Sequence, residues 1–169
     1  MKNIYLIGFM GSGKTTFGKK LARQIKMGFS DLDEIISHQF GKQHVSELIN
    51  EQGFDFFRKA EQKCLRNAPG TQVIATGGGT PCYFDNMDWM KSQGIVVFLH
   101  PGIEVIFSRL KTTEISTRPL LKGLNEPDLK KYIQTTFEER LPFYQQAQLV
   151  FDPVRQKMDE LVQAIQERN

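Results

Sequence analysis

The stretch Gly8-Phe9-Met10-Gly11-Ser12-Gly13-Lys14-Thr15 decides the fold, because it fits the phosphate-loop pattern G-x-x-x-x-G-K-[ST] at every fixed position. Upstream, Asn3 to Ile7 is a short apolar run rich in strand formers. Downstream, Phe17, Leu21 and Ile25 recur at helical spacing. Strand, glycine loop, helix is the context the motif requires. Gly8, Gly11 and Gly13 can take positive φ and let a polyphosphate approach the main chain. The backbone from Gly11 through Ser12, Gly13, Lys14, Thr15 and Thr16 then turns its N–H groups, with the helix N-terminus, towards the anion. Lys14 reaches the outer phosphates of a nucleotide such as ATP, and the Thr15 hydroxyl is placed to ligate Mg²⁺.

Working outward, Met27 to Ser30 reads as a weak strand running into Asp31-Leu32-Asp33-Glu34, and Ile35, Ile36 and Phe40 suggest a helix closed by Gly41. Helical pieces are expected over Val45 to Glu51, stopping at Gly53, and over Phe54 to Asn67, with Phe54, Phe57, Glu61 and Leu65 on one side. Thr71 to Thr76 reads as a buried strand that ends in Gly77-Gly78-Gly79-Thr80-Pro81. Three consecutive glycines are entropically costly, and in an open α/β sheet the carboxyl ends of the strands are where ligands bind. A helix around Asn86 to Ser92, a strand from Ile95 to Leu99 and a helix from about Ile103 to Leu110 follow. The segment at about 111–125 lacks a periodic face, carries Gly123, and reads as a mobile lid. Pro127 opens a helix bearing Phe137, Arg140 and Tyr144. A strand over Gln148 to Phe151 and a helix from about Val154 to Glu167 close the chain. Strands alternating with helices, with neither repeat nor linker, predict one domain over 1–169, a three-layer α/β/α fold with a parallel sheet.

Composition narrows the partners. The 169 residues are 40% hydrophobic and 24% charged, the balance of a soluble globular protein. The net charge of +3 is small and the basic residues are scattered among acids, so no nucleic acid or membrane partner is called for, whereas anionic small molecules are. Cys64 and Cys82 form no C-x-x-C pair, and His38, His44 and His100 form no H-x-x-x-H pair, so no structural zinc site is expected. No stretch approaches the length of a membrane span, and the apolar run after Lys2 breaks at the glycine loop too early for a signal sequence. A cytoplasmic protein is expected.

A phosphate loop alone indicates nucleotide binding, not a reaction. The N-K-x-D and D-x-x-G strings of switch GTPases are absent, and the apolar strands end in His100 and Thr76 rather than in the acid usual for motor-type ATPases. Asp31 and Asp33 are the only acids at a strand end. Residues two apart beyond a strand can diverge, so one carboxylate can face the metal held by Thr15 and the other an acceptor. The ordinary alternative for this pair is a solvated turn or helix cap. Arg58, Arg118 and Arg140 are the remaining charged candidates. Each also has an ordinary reading: Arg58 paired with Glu61 on its own helix, Arg118 a loop charge, Arg140 a solvated helix residue.

The strings G-F-M-G-S-G-K-T-T, D-L-D, F-R-K-A-E, T-G-G-G, R-P-L-L and E-R-L-P-F-Y-Q-Q-A occur in the order and spacing of the shikimate kinase family, which the chain resembles from Ile4 to about Phe151. The resemblance implies a nucleoside-monophosphate-kinase fold with a five-stranded parallel sheet in the order 2-3-1-4-5. It implies a monomer that transfers the γ-phosphoryl group of ATP to the 3-hydroxyl of shikimate, giving 3-phosphoshikimate and ADP, a step towards chorismate and the aromatic amino acids. It matches Asp33 to the acid on the acceptor's hydroxyls, Arg58 and Arg140 to the arginines on its carboxylate, and Gly78 to a backbone contact. Asp31 matches the magnesium-side acid, Arg118 the lid arginine, and Arg109 an arginine against adenine. Lys14, Asp33 and Arg118 are thereby cast as catalytic. The chain departs from the family pattern at Phe54, where glutamate is usual, and at Ile49, where an aromatic is common. A gluconate-type or other small-molecule P-loop kinase is the alternative, and a non-catalytic nucleotide-binding module a more distant one.

Overall fold

A computed structural model describes residues 2–68, 70–112, 121 and 123–168. Arg118 and most of the expected lid lie outside the described residues. Five parallel strands form one sheet: β1 (Asn3–Ile7), β2 (Gly28–Asp31), β3 (Gln72–Ala75), β4 (Gly94–Leu99) and β5 (Leu149–Phe151). They are ordered β2-β3-β1-β4-β5, as the resemblance implied. β1 therefore lies at the centre, with Ile4 opposite Val73 on one side and Ile95 on the other. The three inner strands are buried on both faces, which is why they read as continuous apolar runs.

Alternation along these strands sends side chains into two cores. Ile4, Leu6, Val73, Val97 and Leu99 meet Leu21 and Ala22 of α1 (Lys14–Gln24) and Leu161 and Ile165 of α7 (Met158–Gln166). Tyr5, Ile7, Ile74, Val96 and Phe98 meet the larger opposite layer. That layer holds α2 (Leu32–Gln39), α3 (Val45–Arg66), α4 (Asn86–Gln93), α5 (Ile103–Thr112) and α6 (Glu126–Tyr144). The chain thus leaves β1 towards one face and β3 towards the other, opening a crevice between neighbouring strands at their carboxyl ends.

The expected break at Gly53 is present: it has φ 82° and ψ 169°, so two helices meet there at a kink within the span of α3. Two other boundaries differ from the sequence reading. α5 runs to Thr112. The last helix starts at Met158 rather than near Val154, because the Asp152 side chain accepts from the N–H groups of Val154 and Arg155 and holds that segment in a turn.

Candidate active site

The glycine loop leaves β1 with φ of 140°, 79° and 95° at Gly8, Gly11 and Gly13, and Gly13 caps α1 from the left-handed region. Helix α1 accordingly starts at Lys14, with its N-terminus open to the crevice. Lys14 folds back over the loop: its Nζ donates to the carbonyls of Gly8 (2.8 Å) and Phe9 (3.0 Å). Arg109 of α5 braces the loop from outside, donating through Nη1 to the carbonyls of Gly11 (3.0 Å) and Ser12 (3.1 Å).

Asp31 is a helix cap, the ordinary reading of the acidic pair, and also faces Thr15. As the last residue of β2 it caps α2, one carboxylate oxygen accepting from the Asp33 N–H at 3.0 Å. Its other oxygen accepts from the Thr15 hydroxyl at 2.6 Å. That all-oxygen pair beside the phosphate loop is the donor type Mg²⁺ takes from proteins, which supply one or two ligands while phosphate and water supply the rest. Among the described residues no cluster of three or more His, Cys, Asp or Glu side chains is arranged to hold a metal.

Asp33 points the other way, into the crevice. One of its carboxylate oxygens is buried with no hydrogen-bond partner among the described residues. Burial, followed by the nearby carboxylates of Asp31 and Glu61, raises its pKa to about 7, against the opposing pull of Lys14 and Arg58.

The triglycine after β3 receives two guanidinium groups from distant elements. A Cβ on Gly79 would stand 2.7 Å from Arg58 Nη2, and one on Gly78 would stand 3.4 Å from Arg140 Nη1. Arg58, from the second half of α3, donates through Nη1 to buried Glu61 at 2.7 Å and lies 4.2 Å under the Tyr83 ring. Its Nε is buried without a partner among the described residues. The same-helix pair with Glu61 and a place in the crevice are therefore both true of Arg58. Arg140, from α6, lies over Phe9 at 5.6 Å.

These groups line one cleft of about 970 Å³, running from Gly11–Thr16 and Arg109 to Asp33, Arg58, Gly78 and Arg140. Phe54 and Ile49, the two departures from the family pattern, line the same cleft. The sequence reading placed Glu61 on one side of its helix with Phe57 and Leu65 and offered it as a partner for Arg58. In the fold it is fully buried, accepts from Thr80 Oγ1 at 2.6 Å, and ties α3 to the turn after the triglycine. Tyr144 was noted only for its place on α6. Its hydroxyl donates to the Gly78 carbonyl at 2.6 Å. Helical spacing marked Glu61 with Phe57 and Leu65 on one face, which is buried, but not Thr80, the partner it meets from another element.

A phosphate loop at the centre of a 2-3-1-4-5 parallel sheet, facing an acid and two arginines across a shared cleft, defines a P-loop kinase of small molecules. The family model for shikimate kinase matches residues 10–168. A shikimate kinase of Parabacteroides distasonis is 40% identical over 154 residues, 90% of this chain and 88% of that protein. The crystal structure of shikimate kinase from Bacteroides thetaiotaomicron superposes with a TM-score of 0.87 at 40% identity, covering 99% of this chain and 97% of that one. Shikimate kinase from Acinetobacter baumannii, solved in complex with shikimate, gives a TM-score of 0.85 at 30% identity, covering 99% and 92%. The chain belongs to the shikimate kinase family.

Proposed function

We propose that this protein phosphorylates the 3-hydroxyl of shikimate with ATP, releasing 3-phosphoshikimate and ADP. The observation that carries the reading is the convergence of Arg58 and Arg140, from helices far apart in sequence, on one glycine turn beside Asp33 and opposite the phosphate loop. Planar guanidinium forks suit a carboxylate, and the buried Arg58 Nε has no partner among the described residues. Asp33, with an oxygen that has no partner among the described residues, orients the acceptor hydroxyl and takes its proton late in transfer. Gly78 lends backbone to the acceptor pocket. Gly11 to Thr16 hold the phosphates, and Lys14 exchanges its two loop carbonyls for phosphate oxygens when ATP enters. Thr15 and Asp31 would hold Mg²⁺, which neutralises phosphate charge when bound. Arg109 is assigned to the nucleotide end and Arg118 to the transferring phosphoryl group.

We also take the protein to act as a cytoplasmic monomer without nucleic acid. Among the described residues no helix is long and apolar enough to cross a membrane, and both cysteines are free. A coupled ADP-release assay run in parallel with shikimate, gluconate and AMP tests the activity. Turnover with shikimate alone is expected, and preference for either other acceptor would overturn the proposal.

A further inference from the structure

Gly78 and Gly79 stand against different arginines, Gly78 against Arg140 and Gly79 against Arg58. The peptide that joins them therefore spans the gap between the two guanidinium groups. It is trans, so its carbonyl, from Gly78, and its N–H, from Gly79, point in opposite directions. The carbonyl is taken from behind by the Tyr144 hydroxyl at 2.6 Å. Tyr144 is fully buried, and its ring stacks on Phe98 at 4.9 Å. The phenol is thus fixed by packing before any substrate arrives.

We propose that Tyr144 is a positioning residue for the acceptor: by holding the Gly78 carbonyl on the core side, it turns the Gly79 N–H into the space between Arg58 and Arg140 and completes a three-donor pocket for a carboxylate. Without the hydroxyl, the part-buried Gly78 carbonyl loses its partner, and the glycine peptide, spanned by the Thr80 N–H to Gly77 bond but carrying no side chain, can flip within its turn. Arg140, one turn earlier on the same helix, favours the ionised phenol, but burial outweighs it and holds the pKa far above the usual tyrosine range. Tyr144 is therefore a fixed donor across the working pH range rather than a proton-transfer group.

The proposal rests on shikimate as the acceptor, and its test separates the two. Tyr144→Phe keeps the ring stack and removes the hydroxyl, both as donor to the Gly78 carbonyl and as neighbour of the Arg140 guanidinium. Its KM for shikimate should rise about tenfold, with kcat and the KM for ATP within about twofold of wild type. Phe98→Leu, which loosens the same stack without touching Gly78, serves as the packing control and should leave the KM for shikimate within about twofold. Calorimetric binding of shikimate and of its neutral carboxamide then locates the effect: the loss in Tyr144→Phe should be seen for the acid and nearly vanish for the amide. Equal losses for both ligands, an equal KM rise in Phe98→Leu, or an unchanged KM in Tyr144→Phe would overturn the positioning role. Failure of the wild-type protein to bind shikimate would overturn the acceptor assignment and this role with it.

Discussion

Asp33 is where local chemistry and folding free energy oppose each other most directly. Its pKa of about 7 in the free protein lies above the ordinary 3.8, so between those values the folded state holds a proton that the unfolded chain releases. The sign follows: this carboxyl favours the fold at low pH, and that advantage is lost as pH rises through about 7. Asp33→Asn should accordingly raise thermal stability at pH 8, by a few kcal/mol in order of magnitude, and leave it nearly unchanged at pH 4. For turnover the proposed role reverses the dependence, since there the ionised form is the one assigned to orient the hydroxyl. In wild type, kcat/KM for shikimate should climb with pH and level off above about 7, and in Asp33→Asn it should be low throughout. A flat wild-type profile from pH 5.5 to 8 would count against this role. Arg58 presents the companion case. Arg58→Ala removes one of the two guanidinium groups proposed for the acceptor and also takes the ion-pair partner from fully buried Glu61. It should raise the KM for shikimate about a hundredfold or more, leave the KM for ATP within twofold, and cost about 3–5 kcal/mol of stability in denaturant titration. The phosphate loop was legible residue by residue because its requirements are local. Glu61 was not, since the pull that buries it comes from Thr80 and Arg58 together, and Thr80 lies in a separate element.

At the scale of elements, α3 does two jobs that a straight helix could not combine. Its first half brings Val45 and Ile49 to the cleft wall, and its second half delivers Phe57, Arg58 and Glu61 to the triglycine. The bend between them sits at Gly53, in a region of φ and ψ open almost only to glycine. A Cβ there would meet nothing within 4 Å, so the constraint is one of backbone rather than space. Gly53→Ala should cost about 1–3 kcal/mol of stability and raise the KM for shikimate more than that for ATP. An alanine variant with both values unchanged would show the bend to be incidental. The sequence reading placed a helix end at this glycine and was right about the geometry. It erred at the last helix, where the Asp152 turn competes with helix formation over residues whose propensities alone do not exclude it.

For the molecule as a whole, the acceptor and nucleotide ends of the cleft draw on different elements, so their ligands should stabilise the fold separately. Saturation with shikimate at about a hundred times its Kd should add about 2.7 kcal/mol, a rise of about 5–10 °C in Tm for a chain of this size. Chelation of divalent metal should stop turnover and leave that rise intact, because the proposed acceptor site, Arg58, Arg140 and the glycine turn, includes no metal. Loss of the shikimate-induced shift on adding chelator would contradict that division. The alternation of strands and helices was plain from hydrophobic pattern. The strand order came from the family resemblance, since nothing in the periodicity of β1 says which later strands will flank it.

That central position of β1 has a bearing on biosynthesis. The proposed phosphate loop and its strand are synthesised well before the strands that, among the described residues, pair with β1, which begin at Gln72 and Gly94. At about 5–20 residues per second, seconds of synthesis separate the first strand from its second neighbour. Until β4 has been made, β1 lacks one of its two neighbours, so nucleotide bound at the proposed phosphate loop can assist folding only after that point.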